Sequence, residues 1–203
     1  ISAQDKEVVV IGGGDTGSDC VGTALRQGAR EVHQLEILPK PPVGRNPETP
    51  WPMWPQILRS SSSHEEGCER RWGVLTKKLS GKNVRASQLR GVEVEWTRGP
   101  KGWEMQEIPG TEFSMPVDLV LLAMGFLHVV HGGLVESLGL GLDQQGNVVV
   151  NDYMTSEEGI FAAGDTTLGA SLVVTAIDAG REAAQRIDTY LMGHSLLPSL
   201  AAR

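Results

Sequence analysis

The run Val8-Val9-Val10-Ile11, followed at once by Gly12-Gly13-Gly14-Asp15-Thr16-Gly17, constrains this chain more than any other stretch. Four β-branched residues are too few for a helix, and they are apolar on both faces, as a central parallel strand is. The glycines end that strand. From Ser18 to Gln27 the residues Cys20, Val21, Ala24 and Leu25 then recur at helical spacing before Gly28 supplies a stop. Glu31–Leu38 reads as a second strand, so residues 8–38 have the length of one βαβ unit with a right-handed crossover.

In that setting the G-x-G-x-x-G turn has a definite chemistry. Gly12 permits the tight turn, Gly14 lets a pyrophosphate approach the backbone, and Gly17 lets helix and strand pack closely. Amide groups exposed at the helix start then meet the anion. Glu36 follows Gly17 by 19 residues, at the end of the second strand. A carboxylate there accepts hydrogen bonds from a ribose diol and repels a 2′-phosphate, which favours NADH over NADPH. Lys40 and Arg45 are close enough in sequence to meet a phosphate instead.

Composition trims the alternatives. With 203 residues, 40% of them hydrophobic and 21% charged, the chain is long and apolar enough for a packed core. A formal charge of −7 lacks the concentrated positive field that nucleic acid requires. Cys20 and Cys68 are too few for a disulfide scaffold, a four-cysteine zinc site or a self-contained iron–sulfur site. No apolar run approaches the ~20 residues of a membrane helix, and no signal peptide is visible. A reduced, cytoplasmic compartment without membrane or nucleic-acid partners is expected. Ile1–Glu7 is a short lead-in to a strand that already carries the glycine turn, which reads as a chain entered midway.

Residues 39–63 carry seven prolines, a density no regular element survives. Ser62 or Ser63, with Glu65 or Glu66 three residues on, matches a capping box and predicts a helix or helical turn near His64. Val92, Val94 and Trp96 alternate with Glu93 and Glu95, and Gly99–Gly102 turns that strand into Trp103–Ile108, an antiparallel meander. Asp118–Ala123 reads as another buried strand. Glycine-rich, weakly patterned residues follow, so domains at 1–127 and 128–194 and a frayed tail at 195–203 are expected. Val148–Val150 and Ile160–Ala163 read as short strands. From Ala170 the positions Leu172, Val173, Ala176, Ala179, Ala183, Ala184, Ile187 and Leu191 keep a helical apolar stripe to Gly193.

Gly164-Asp165, at the end of one such strand and before that helix, can present a carboxylate to a ribityl hydroxyl, while the helix start offers amides to a flavin. Leu119–Leu122 leading into Ala123-Met124-Gly125, and Gly159-Ile160-Phe161-Ala162-Ala163-Gly164-Asp165 beyond it, resemble flavoproteins built from two dinucleotide-binding domains. Longer stretches narrow the likeness. Gly12–Cys20, Ile37–Pro42, Pro50-Trp51-Pro52-Met53-Trp54-Pro55, His64-Glu65-Glu66-Gly67 and Ser171–Val174 together look like the small (β) subunit of glutamate synthase, over nearly the whole chain. The Pro-Trp segment is the most specific of them.

The resemblance implies an α/β fold: a Rossmann-like parallel sheet with an inserted antiparallel β-meander, plus the C-terminal strand–helix segment of a split FAD-binding domain. It implies hydride transfer from NAD(P)H to FAD, then single electrons through 4Fe–4S clusters to a large subunit that makes glutamate from glutamine and 2-oxoglutarate. Carried over by position, Gly12, Gly14, Asp15, Thr16, Gly17 and Glu36 hold the nicotinamide dinucleotide and Gly164, Asp165, Ser171, Leu172 and Val173 face FAD, with Gly13, Lys40, Ala123 and Gly125 as further cofactor-binding candidates. The family's first FAD glycine turn and its cysteine-rich cluster region are not in these 203 residues, so only the C-terminal part of the subunit is matched. On that reading the clusters belong to the missing N-terminal region, flavin is held by a partial site, and the isolated fragment does not turn over. Thr175 and Thr166-Thr167 depart from the family's usual residues and leave the flavin contacts less defined.

Other residues receive plainer readings. His128 and His131 lack a carboxylate or thiol in liganding pattern and read as loop, so no metal site is expected. His64-Glu65-Glu66 serves a helix start, Cys20 serves the core, and Trp51 and Trp54 pin an irregular loop. No catalytic acid, base or nucleophile is required, because hydride transfer between cofactors asks mainly for proximity and orientation. Two rivals stand: the reductase portion of another NAD(P)H–FAD–cluster enzyme, such as a dihydropyrimidine dehydrogenase-like protein, and a non-catalytic nucleotide-binding module.

Overall fold

The computed structural model describes residues 1–199 apart from Trp54, Val84 and Lys101. The chain divides into two compact units, Ile1–Met124 and Gly125–Arg203.

The first unit is built around strand β1 (Glu7–Ile11), followed by helix α1 (Asp15–Arg26) and strand β2 (Glu31–Glu36). Beyond the proline-rich segment lie a single helical turn α2 (Ser62–Glu65) and strands β3 (Glu69–Trp72), β4 (Val74–Lys82), β5 (Arg85–Gly99), β6 (Gly102–Glu107), β7 (Phe113–Pro116) and β8 (Leu119–Leu122). The parallel sheet has the order β3-β2-β1-β8. Val8, Val9 and Val10 are fully buried because both faces of β1 are covered. Val8 and Val10 pack with Val21 and Ala24 of α1 and with Val32. Val9 packs with Leu35, Val74, Leu89 and Val117 on the other face, under the antiparallel strands. Each such valine contributes roughly 1.5–2 kcal/mol of apolar burial. Helix α1 stops where the sequence places its glycine, at Gly28 with φ +84°.

The meander is present and larger than the alternation suggests. Strand β5 pairs with β4 and β7 along its first part and with β6 along its last, while Val92 and Val94 turn inward. Strand β3 is a third parallel partner that the sequence reading lacks. Strand β8 corrects another expectation. Among the described residues it pairs only with β1, so it is half-buried at the sheet edge and its Leu122 is exposed. The capping box also sits one residue earlier than expected. Ser61 is the N-cap and His64, not a glutamate, closes the box.

In the second unit Val148–Val150 and Ile160–Ala163 are not strands. The chain there makes isolated bridges, Leu142 with Val148, and Met154 with both Asn151 and Phe161. Positive φ angles at Gly146, Asp152, Tyr153 and Gly159 keep the chain turning, so no consecutive ladder forms. Helices α3 (Leu134–Ser137), α4 (Asp165–Leu168) and α5 (Val173–Met192) complete the unit. Helix α5 ends at a left-handed Gly193. Its buried residues are Ala179, Glu182 and Ala183, whereas Leu172, Val173, Ala184 and Leu191 of the expected stripe are exposed. The segment after it is tied down rather than frayed as far as it is described: Ser195 Oγ donates to Asp188 Oδ2 at 2.5 Å and Ser199 Oγ to Glu182 Oε2 at 2.8 Å. The rest of the expected tail, 200–203, lies outside the described residues. Among the described residues no helix is long and apolar enough to cross a membrane.

Candidate functional site

The glycine turn lies between the C-terminal end of β1 and the start of α1. Gly12 has φ +125°, and a Cβ on it would drive into the carbonyl of Ala123, whose own N–H donates to Ile11 O at 2.7 Å. A side chain is therefore excluded at Gly12 by Ala123, the residue that follows β8, and the turn is brought against it. Gly17 is excluded from bearing a side chain by Gly12 O and Gln34 Nε2. Gly14 differs from both. It is the N-cap of α1, and a Cβ there would stand in open space.

No side chain caps α1, so the first-turn amides that lack intrahelical partners are open beside Gly14, Asp15 and Thr16, all three exposed. The helix dipole makes this spot favourable to an anion. Glu36 completes the corner. Its carboxylate lies over Gly13, where a Cβ would overlap Oε2, and its Oε1 accepts the Leu38 N–H at 3.1 Å. The turn and a carboxylate acceptor are thus adjacent, as the 19-residue spacing suggests.

Beyond Glu36 the chain enters a cavity of about 430 Å³ lined by Pro39, Lys40, Pro42, Gln56, Trp96 and Trp103, among others. Lys40 Nζ sits 4.9 Å from the Trp72 ring, and Arg70 stacks on the same ring at 4.8 Å. Trp72 is in register with Glu36, so both cations flank the strand end that carries the carboxylate. Arg45 is committed elsewhere: its Nη1 donates to Thr49 O at 2.9 Å and Met53 O at 3.0 Å. These bonds hold the proline-rich loop, a task the sequence reading gave to the tryptophans. Trp51 is instead 83% exposed, and Trp54 lies outside the described residues.

Four residues behind the turn escape motif reading. Gln34, 2% exposed, donates from Nε2 to Gly12 O at 2.9 Å and holds Oε1 at 2.9 Å from His64 Nε2. His64 Nδ1 accepts the Ser61 N–H at 3.1 Å, and the Ser61 hydroxyl also meets the Ser18 hydroxyl of α1. Burial, and secondarily Arg70, push the His64 imidazole below its ordinary pKa. The available signal was a glutamine between Val32 and Glu36 on the strand face that packs on α1. Burial raises the Cys20 thiol, with Asp19 adding to it, and raises the Cys68 thiol against the opposing pull of Arg70. On the opposite face of β2, His33 lies 3.2 Å from both Glu31 and Glu69, a trio with one possible donor atom each within 4.8 Å.

The second unit brings Gly164, Asp165 and Ser171–Val173 together. Gly164, φ +69°, leads into Asp165, whose Oδ1 accepts the Ser171 N–H at 3.3 Å beside the uncapped start of α5. Gly125, φ +84°, belongs to this unit and faces open space. His128 and His131 stack at 4.2 Å, and His131 Nε2 is 2.8 Å from Gly146 O, so one ring nitrogen is bonded to backbone.

A parallel sheet with this turn, carboxylate and inserted antiparallel sheet defines a pyridine-nucleotide oxidoreductase architecture. Residues 1–180 match the family model described as pyridine nucleotide-disulphide oxidoreductase, and the chain belongs to that family. Within it, the sequence is 48% identical over 200 residues to the glutamate synthase (NADPH) small chain of Mycobacterium tuberculosis, covering 98% of this chain and 40% of that one. It is 42% identical over 212 residues to the glutamate synthase (NADH) of Schizosaccharomyces pombe, covering 98% of this chain and 10% of that one. The likeness to the glutamate synthase small subunit read from the motifs is thereby found along nearly the whole chain, which spans about two fifths of the small chain it matches. Among solved structures, Mycobacterium tuberculosis FprA in complex with NADPH superposes with TM-score 0.68 at 13% identity, over 95% of this chain and 54% of that one. Thioredoxin reductase of T. acidophilum superposes with TM-score 0.61 at 20% identity, over 93% and 54%. These two support the fold.

Proposed function

We propose that the chain is the NAD(P)H-binding portion, with the closing segment of an FAD-binding domain, of a glutamate-synthase-type oxidoreductase. The observation that carries this reading is the Glu36 carboxylate laid over Gly13, beside an uncapped helix start that Gly14 leaves open. The cradle fits a dinucleotide: amides for the pyrophosphate, an acceptor for the adenosine ribose, and a Trp-lined cavity beyond it. NADH is the preferred form, because Glu36 opposes a 2′-phosphate and Arg45 is spent on the loop backbone. Lys40 and Arg70, both on the Trp72 ring beside Glu36, are the cations that temper that preference.

Bound in such sites, a reduced nicotinamide supplies a hydride and a flavin accepts it. The chain's own residues bind and orient. Ala123 borders the glycine turn on the nicotinamide side, while Gly164, Asp165, Ser171, Leu172 and Val173 offer the flavin a carboxylate and the amides of α5. The onward path through iron–sulfur clusters to a large subunit, and glutamate formation there, follow from the likeness to the glutamate synthases. The same likeness assigns the clusters and the other FAD segment to a different part of the protein, so this chain alone is inactive and works in the cytoplasm with those partners.

Calorimetric titration of the chain with NADH and NADPH tests the reading. Saturable binding of both, tighter for NADH, is expected, and absence of binding by either would overturn it. The visible spectrum of purified protein adds that flavin, if retained, is substoichiometric.

A further inference from the structure

We propose that His64, acting through Gln34, is a positioning residue for the dinucleotide turn, an inference that rests on the nucleotide-binding reading above. Gly12 O is held from behind. This carbonyl belongs to the turn itself, and Gln34 Nε2 donates to it at 2.9 Å from a buried position. The amide nitrogen being committed, Gln34 Oε1 can only accept, so the 2.9 Å contact requires His64 Nε2 to carry hydrogen. His64 Nδ1 is then the lone-pair nitrogen, which is what the Ser61 N–H, 3.1 Å away, needs. Every bond in the chain Ser61–His64–Gln34–Gly12 thus has one consistent direction, set by a neutral imidazole.

The surroundings leave little slack. Gly17 has no side chain at the point where Gln34 Nε2 and Gly12 O meet, and Gly22 has none where Ser63 Oγ approaches α1. Ser18 of α1 reaches the Ser61 hydroxyl, and Arg26 of α1 pairs with Glu66. The one-turn helix α2 is therefore pinned to the back of α1, and its histidine is the only described side chain bonded to Gln34 Oε1. A buried amide with one end unpaired would rotate or shift, and the Gly12 carbonyl would lose its donor. The loop after the proline-rich segment in this way sets the geometry of amides that face the pyrophosphate on the other side of the turn.

His64→Gln and His64→Glu form the test, since they are nearly isosteric and either can close a capping box at this position. Glutamine can accept from Ser61 and donate to Gln34, whereas glutamate can accept from Ser61 but not donate. H64Q is expected to restore NADH affinity to within about twofold of wild type, and H64E to bind about five- to tenfold more weakly with α2 intact. The difference should persist at about 0.5 M salt, where a mere charge effect of the new carboxylate is screened. It should also vanish in a Gln34→Met background, as a double-mutant cycle requires of a contact routed through Gln34. Equal NADH affinity of H64E and H64Q, with wild type binding normally, would overturn this inference and leave the nucleotide reading standing. Failure of the wild-type chain to bind NADH would overturn both.

Discussion

In the first unit the turn Gly12–Gly17 rests on a strand whose three valines are fully buried, whereas in the second unit Gly164-Asp165 opens only the one-turn α4, and Leu172, Val173 and Val174 at the start of the next helix, α5, are 67–76% exposed. Both places present a glycine, a carboxylate and an uncapped helix start. They differ in what holds them. The nucleotide-side corner is fixed by Ala123 just past the end of β8, by Gln34 behind and by a two-faced core beneath. The flavin-side residues are held by short-range bonds, Thr167 and Leu168 N–H to Gly164 O, Gly169 N–H to Asp165 O and Ser171 N–H to Asp165 Oδ1, and by a helix whose buried residues are Ala179, Glu182 and Ala183. Similar local motifs therefore confer different degrees of preorganisation, and the first unit carries its site as a property of its own packing.

The largest contrast is expected from alanine at the leading glycines. Gly12→Ala forces a side chain into the Ala123 backbone at φ +125° and should cost about 3 kcal/mol or more and abolish measurable NADH binding. Gly164→Ala meets only Ala176, with Cβ at 3.6 Å, an ordinary contact, and should cost about 1–3 kcal/mol for its backbone at φ +69°, ψ −143° while leaving NADH binding unchanged. Thermal unfolding and titration of both variants decide the matter. Equal losses would mean that the second unit is as tightly determined as the first.

A smaller effect separates the two carboxylates. Removing Glu36 takes away the ribose acceptor, so Glu36→Ala should weaken NADH about tenfold and narrow its advantage over NADPH. Asp165→Ala should shift NADH affinity by less than about twofold, since nucleotide binding is assigned to the first unit. Calorimetry with both nucleotides checks this. A Glu36→Ala protein that still prefers NADH would remove the carboxylate from the specificity argument.

The same contrast explains what could be read in advance. The βαβ start was legible because its signals are local: a β-branched run, a glycine turn and a helical stripe lie within some thirty consecutive residues. Strand β3, Glu69-Arg70-Arg71-Trp72, has no apolar period, and it exists because β2 offers a parallel partner far away in sequence. Val148–Val150 and Ile160–Ala163 show the reverse, apolar runs that find no lasting partner among turns. At the site, Gly12, Gly17 and Glu36 were visible from spacing, because each serves a contact that the motif itself creates. Gln34 and His64 were not, because their roles arise only when residues 30 apart in sequence meet behind the turn.

The smallest expected effect is a pH dependence confined to the first unit. His64 is held neutral in the fold, its pKa lowered first by burial and then by Arg70, while Glu65 and Glu66 on its own turn and Arg26 of α1 complete its charged surroundings. In the unfolded chain the imidazole takes a proton near its ordinary 6.5. As pH falls below that value the unfolded state binds the proton first, so the stability present above pH 6.5 declines until the lowered folded pKa is reached. The bond pattern agrees in direction: a proton on Nδ1 would confront the Ser61 N–H, leaving only the Ser61 hydroxyl, 3.0 Å away, to accept it. The urea midpoint of wild type should therefore fall further between neutral and mildly acidic pH than that of H64Q, which has no imidazole to titrate. Identical pH profiles for the two proteins would show that the histidine is free to protonate in the fold, and that the turn is not held by the neutral ring.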